Sequence, residues 1–373
     1  MADSRMGAWQ PEMPLPEAFI ELPRQLYADD PHWLGEDARA LQRQFSTANP
    51  WFDSGRAWLG VLPGQARLAG FFNDQRIEGE PAAFFGFWES IDDPRPNRLL
   101  FQGLRDWAHD LGAKRLYGPI DFRTFGAYRL RLDAFEAGCF PGEPWNPPYY
   151  PALLEYLGLS LRHRYVSTFD DLSKSAASAR PVYERLKPKF AGVVNLIPLT
   201  GDFWMAHLDQ LHAFVETVFG ANFAYTPLSR AAFEWHCGQA LAARLCPHSS
   251  VLALTPEGHI AGLFLTCADF SPLLRQGNPQ RLPASSLKPA EHLTLLPQPR
   301  QLLAKTAAVR PEFRKHGLFT ALGCEMLLRA EAHYQRIVGA LVREDNNSWQ
   351  FAQHHMCHSG SVLHHYGLYQ SDL

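Results

Sequence analysis

The chain has 373 residues, 46% of them hydrophobic and 20% charged, with a net charge of −3. That length suits two domains of ordinary size, and the composition is that of a soluble globular protein. The near-neutral charge excludes the basic field that nucleic-acid binding needs, and six cysteines without C-x-x-C spacing read as reduced thiols in a cytoplasmic protein.

The first residues carry no continuous apolar stretch and have prolines at 11, 14 and 16, so residues 1–16 are expected to form a flexible tail rather than a signal peptide or membrane anchor. Apolar runs at Ala57–Leu62 and Ala66–Asn73, joined by Pro63-Gly64, predict a strand hairpin. A strand at Ala83–Trp88, a helix over 96–112, a strand at Lys114–Tyr117, a helix over 151–157 and a strand over 161–169 follow. The Ser/Ala-rich stretch 173–188 has linker composition.

The second half repeats the order. Strands at Val251–Leu254 and His259–Cys267 form a hairpin, and the proline-rich excursion 271–299 is too long for a routine connection. Then come a strand at Gln301–Val309, a helix over 318–334, a strand at Arg336–Val342, a helix from about 348 and a strand over 361–369. The pattern predicts an internal duplication: a first domain over 17–172 and a second over 189–373, each an α/β unit with a mixed sheet flanked by helices.

Between the third and fourth of these strands lies Arg310-Pro311-Glu312-Phe313-Arg314-Lys315-His316-Gly317, a basic loop opening into the helix that starts at Leu318. Free backbone N–H groups at such a helix start suit a di- or triphosphate, although a solvated basic loop has the same composition. The stretch Arg314-Lys315-His316-Gly317-Leu318-Phe319 resembles the Q/R-x-x-G-x-G/A loop of the GNAT acyltransferases, with Phe319 where that family has Gly or Ala. Four further strings, FIELPRQLYADDPHWL at 19–34, FFGFWESIDD at 84–93, RLYGPIDF at 115–122 and PWNPPYYPALLEYLGL at 144–159, are similar to a bacterial family of tandem GNAT-like proteins.

The resemblance implies an acyl-CoA-dependent N-acyltransferase, with acetyl-CoA or another acyl-CoA as co-substrate and a small-molecule amine as acceptor. It places the coenzyme on Val309, Arg310, Arg314, Lys315, His316, Gly317 and Leu318, with the Val309 N–H near the thioester carbonyl and Asn346 or Asn347 on the pantetheine arm. Either Asn equally suits a cap for the helix that follows. The equivalent stretch of the first half, Glu89-Ser90-Ile91-Asp92-Asp93-Pro94, is acidic and proline-containing, which argues for one coenzyme site, in the second half.

Direct transfer needs an acid for the departing thiolate and a base for the amine. Where similar enzymes carry a Tyr as acid, this chain has His354, which is either that acid or a solvated helix residue. Glu344 and Asp345, at the end of a strand, are candidate bases or helix caps, and a water chain can serve instead. Tyr149 and Tyr150 are candidates for the acceptor pocket. Histidines 354, 355, 358, 364 and 365 crowd the C-terminus, but no third ligand at metal spacing accompanies them, so no metal is assigned. Without the missing Tyr, a non-catalytic coenzyme-binding module is the alternative. Duplication within one chain supplies the neighbour that a dimer would, so a monomer without nucleic-acid or membrane partners is expected.

Overall fold

A computed structural model describes residues 4–276 and 278–373, except for the side chains of Ser285 and Lys315. Seven strands belong to the first half: β1 Arg5–Trp9, β2 Arg56–Leu62, β3 Ala66–Ile77, β4 Glu80–Ser90, β5 Arg115–Gly118, β6 Leu130–Arg131 and β7 Ser160–Asp171. Six belong to the second: β8 Asn195–Pro198, β9 Val251–Leu254, β10 Ile260–Ala268, β11 Gln301–Val309, β12 Arg336–Arg343 and β13 Val362–Asp372. β2, β4 and β10 are buried along nearly their whole length, which is why they read as continuous apolar runs rather than alternating ones.

The thirteen strands make one continuous sheet, with the path β1-β2-β3-β4-β5-β13-β7-β12-β11-β10-β9-β8 and β6 pairing with β13 off that path. The closing strands are exchanged between the halves. β7, from the first half, pairs antiparallel with β12 of the second, and β13, from the second half, pairs antiparallel with β5 of the first. The two exchanged strands pair with each other at the centre, Tyr165 opposite Tyr366. Domain limits at 172 and 189 therefore separate the halves in sequence but not in the sheet.

Two stretches differ from the sequence expectation. Residues 5–9 are not a tail: they pair with β2 from Arg5↔Val61 to Trp9↔Ala57, and the buried Trp9 donates its indole N–H to the Phe45 carbonyl. The prolines at 11, 14 and 16 follow this strand and end it. The stretch expected as a linker is the helix Leu172–Phe190, capped by the Asp171 carboxylate on the Ser173 N–H, with Leu172, Ala176, Ala179, Tyr183, Leu186 and Phe190 on its buried face. Ser and Ala suit a helix as well as a linker, and the apolar spacing decides between them. The helix packs against Leu318–Ala330. Short helical turns occupy much of the 271–299 excursion, which docks through Leu282, Leu287, Leu293 and the buried Leu296.

Candidate active site

In the second half β11 and β12 run parallel from Gln301↔Arg336 to Ala304↔Gly339, and then they part. β10 keeps hold of β11 as far as Val309, across a bulge that sets Thr306 and Ala304 opposite Leu265 and Thr266 and leaves Lys305 as the extra residue. On the other side β7 holds β12 at Val342↔Val166 and Arg343↔Tyr165, after a register shift at which Leu341 takes φ 58. The wedge between them is a cleft of about 230 Å³, lined by Lys305, Thr306 and Ala307 on one side, by Gly339 to Arg343 on the other, and by Asn346, Phe351 and Phe319 towards its mouth.

Backbone polarity gives the wedge its chemistry. The Arg310 N–H bonds the Ala261 carbonyl at 2.9 Å, on the β10 side. N–H groups alternate along a strand, so those of Val309 and Ala307 face the opening. Beyond Val309 the loop turns through the 3-10 segment Pro311–His316 to Gly317, at φ 80 and ψ 15, where the helix Leu318–Ala330 begins without a side-chain cap. The first α-helical bond there runs from the Ala321 N–H to the Gly317 carbonyl at 3.0 Å, so the N–H groups of residues 318–320 precede it. The site is thus an extended edge that leads into an anion-receptive helix start.

The two arginines brace this loop. The Arg310 guanidinium donates to the Ile260 carbonyl at 2.7 Å, and Arg314 donates to the Val309 carbonyl at 3.1 Å. Leu318 is fully buried and His316 is exposed, while the side chain of Lys315 lies outside the described residues. Phe319 turns its ring towards Phe264 and Phe351, away from the helix start, so its bulk walls the cleft. Asn346 lines the cleft and caps the following helix, its side chain accepting the Ser348 N–H; Asn347 opens the helix Asn347–His355 and is exposed.

The acid and base candidates fall elsewhere. His354 is exposed on the outer face of its helix, with Nδ1 2.6 Å from the Gln350 carbonyl. Asp345 is exposed and pairs with Arg343; Glu344 is half-buried, and neither it nor Asp345 lines the cleft. His355 meets Ser178, His358 meets Asp170, His364 meets Glu143 and His365 meets Asp133, so the C-terminal histidines disperse to separate partners. Among the described residues no group of three potential ligands is placed to hold a metal.

The strand exchange instead brings three first-half residues into the cleft, Tyr128, Arg129 and Tyr165. Burial pushes the Tyr165 phenol well above its ordinary range and pushes the Lys305 ammonium down. The Arg129 guanidinium lies between the two phenol rings, 3.6 Å from the centre of Tyr128 and 4.2 Å from that of Tyr165. No local motif marks these residues. The only signal available in the sequence is that β7 has a second copy in β13.

The first half has a matching wedge. β4 and β5 pair from Ala82↔Arg115 to Phe84↔Tyr117 and then part around a cavity of about 190 Å³. It is lined with carboxylates: Glu36 on Arg67, Asp121 on the Phe87 N–H, and Glu89, which accepts from Tyr27 at 2.7 Å and Tyr150 at 2.8 Å. Tyr150 also accepts the Ser90 N–H, and Tyr149 donates to the Ser90 carbonyl, so this pair belongs to the first-half wedge and not to the cleft of the second. The helix start that would receive phosphate in this half is filled by the chain's own Asp93, capping the Arg95 N–H at 2.8 Å.

Burial pushes both Glu89 and Asp121 up to about 7. A carboxyl raised on folding contributes stability that is full below its unfolded value near 4.5 and is lost as the pH climbs through 7. Glu89→Gln keeps an oxygen for both phenols and removes the charge. It is expected to stabilise the protein at pH 8 by up to about 3 kcal/mol and to change little at pH 5, read as melting temperatures at both. An equal shift at the two pH values would assign the effect to packing.

No protein-family model matches the chain. Two curated proteins are similar over part of it. Protein YghO of Escherichia coli K12 is 29% identical over 148 residues, 38% of each chain. A bacterial ceramide synthase of Caulobacter vibrioides is 30% identical over 114 residues, 28% of this chain and 29% of that one. The chain's match thus spans 38% of the first relative and 29% of the second. Among solved structures, a tandem GNAT protein from the clavulanic acid biosynthesis pathway superposes over 99% of this chain and 98% of its own, with a TM-score of 0.53 at 12% identity. A probable N-acyltransferase of Enterococcus faecalis superposes over 99% and 73%, with a TM-score of 0.53 at 9% identity. The fold is a tandem GNAT fold, a mixed α/β sheet with flanking helices.

Proposed function

We propose that the chain is an acyl-CoA-dependent N-acyltransferase acting on a small-molecule amine, with its single coenzyme site in the second half. The observation that carries this is the parting of β11 and β12 above an uncapped helix start at Gly317. An acyl thioester supplies an activated acyl group, and the chain's residues position it. The N–H groups of 318–320 receive the pyrophosphate and those of Val309 and Ala307 the extended arm. From Val309 to Ala304 the strand covers about 16 Å at 3.3 Å per residue, long enough for the extended arm, and we assign the thioester end to the bulge end of this run, with the Ala307 N–H the nearer of the two inward-facing donors.

Transfer forms the N–C bond, breaks the C–S bond and moves one proton from the amine and one to the thiolate. Tyr165, kept protonated by burial, is the donor within the cleft. Among the described residues no carboxylate lines the cleft, so water takes the amine proton. That same lack supports the alternative of a non-catalytic coenzyme-binding sensor, which would bind but not turn over.

A second cavity, of about 380 Å³, adjoins the cleft through Tyr128, Thr306, Phe219 and Phe223 and is walled mainly by apolar side chains such as Trp204, Leu263 and Leu265. It suits a hydrocarbon tail, and we assign it to a donor acyl chain longer than acetyl. The name of the Caulobacter relative supports this, since a ceramide is an amide carrying a long acyl chain. Free-thiol release from acetyl-, octanoyl- and palmitoyl-CoA with pooled amines tests both points. The longer donors are expected to win, by roughly tenfold for each two methylenes buried. Leu241→Trp, which narrows the chamber, is expected to shift the preference towards shorter donors. Coenzyme binding without thiol release from any donor would establish the sensor.

A further inference from the structure

Two half-buried cations line the inner end of the cleft. Arg129 and Lys305 both line it, and neither forms an ion pair among the described residues. Lys305 projects from the β11 bulge; its ammonium has one hydrogen bond, to the Pro141 carbonyl at 3.2 Å, and sits 5.4 Å from the Phe140 ring. Arg129 donates to the Tyr128 hydroxyl, while its Nε is buried without a partner. Charges drawn even partly out of water are ordinarily paired, because an unpaired one loses hydration with no return. Arg129 also borders the first-half cavity, and the carboxylates there and nearby are bonded to other groups: Glu143 to His364 and Tyr366, Asp345 to Arg343, Glu36 to Arg67, Glu89 to Tyr27 and Tyr150, and Asp121 to the Phe87 N–H.

The Arg129 fork is also held in place at a cost. Its backbone sits at φ 89, where a residue with a Cβ is strained, and its guanidinium is clamped between Tyr128 and Tyr165. A planar fork fixed in this way is preorganised to receive a carboxylate or phosphate through two donors.

We infer that the acyl acceptor carries an anionic group, a carboxylate or a phosphate, which docks on Arg129 and Lys305 beside the thioester end of the cleft. The inference rests on the acyltransferase reading for the word acceptor, but the anion site itself does not. The coenzyme's own phosphates do not reach it, because their loop starts at Arg310, about 16 Å along the strand from Lys305. The site therefore selects an amine that bears its own negative charge, such as an amino acid or a phosphorylated amino alcohol, over a plain alkylamine.

The test compares acceptors that differ only in the anion, using the full chain: 2-aminooctanoate against 1-aminooctane, and O-phosphoethanolamine against ethanolamine. Each is measured by calorimetry in the presence of coenzyme A and by thiol release with the best donor. The anionic member of at least one pair is expected to be preferred by roughly tenfold to a hundredfold, and the pair that shows it identifies carboxylate or phosphate. Arg129→Gln and Lys305→Met are expected to collapse that ratio, and Arg129→Lys to restore part of it. Equal affinity for both members of both pairs would overturn the inference, as would an Arg129→Gln variant, folded by its melting temperature, that keeps the wild-type ratio. Anion-selective binding without turnover would sink the enzyme reading and keep the site. Turnover without selectivity would do the reverse.

Discussion

Gly317→Val is expected to weaken coenzyme A binding by about a hundredfold while leaving the protein folded. Gly317 sits at φ 80 and ψ 15, the left-handed region that a β-branched residue avoids, and this conformation aims the N–H groups of 318–320 out of the loop. A Cβ at this position would meet only Leu186, at 3.4 Å, so the core has room and the strain falls on the loop. Relieving that strain swings the N–H groups off the pyrophosphate, and charge-assisted bonds to a phosphate are among the stronger hydrogen bonds a site can lose. Gly317→Asn tolerates the same backbone angles and is expected to retain most of the affinity. Calorimetric titration of both variants decides the matter. Comparable losses would mean that any side chain at this position obstructs the loop, whatever its backbone preference, and undiminished binding by the Val variant would remove this helix start from the coenzyme site.

The strand and helix start proposed for the coenzyme were legible because their signals are local. The strand Gln301–Val309 and the Gly at the left-handed position are read from a few adjacent residues, and the structure returns the strand with the predicted limits. Asn346 was also legible, since a helix cap at the end of a strand needs only its neighbours. The opposite wall of the cleft was not. Tyr165 reaches it on β7, which crosses to pair with β12, and Tyr128 and Arg129 precede β6, which pairs with β13 of the second half. Apolar runs and turns say that β7 and β13 are strands, but in a duplicated chain either copy offers each of them an equivalent edge, and alternation along a strand is silent about which edge it takes. For the same reason Tyr149 and Tyr150, in an aromatic turn of the right general position, belong to the other wedge. His354 stands at the right distance along the chain from Asn346, but distance along the chain does not say which face of a helix a residue takes. The helix there turns that position outward and places His355 inward, against Ser178.

Replacing Tyr165 by Phe is expected to lower kcat by a hundredfold or more with KM nearly unchanged, which lies within the range of roughly 10² to 10⁴ for a general acid. Tyr165 stands on β7 opposite Arg343, is only 5% exposed, and lines the cleft where β12 leaves β11. Its phenol is pushed up by burial, so it keeps its proton across the neutral range and has one to give when the thiolate departs. Phe preserves the ring against which Arg129 stacks, and the variant should therefore melt within a degree or two of the wild type. The loss then belongs to the transition state, where a proton is given up, and not to ground-state binding. In the pH profile, the wild-type limb due to this acid lies above the ordinary phenol range, and activity falls only as the pH rises through it. The variant should lose that limb and run low at every pH. His354→Phe is the companion measurement, because its ring is exposed on the outer helix face and its removal should leave kcat unchanged. If His354→Phe slows turnover and Tyr165→Phe does not, the helix Asn347–His355 must turn to face the cleft when substrate binds, and the acid sits there instead.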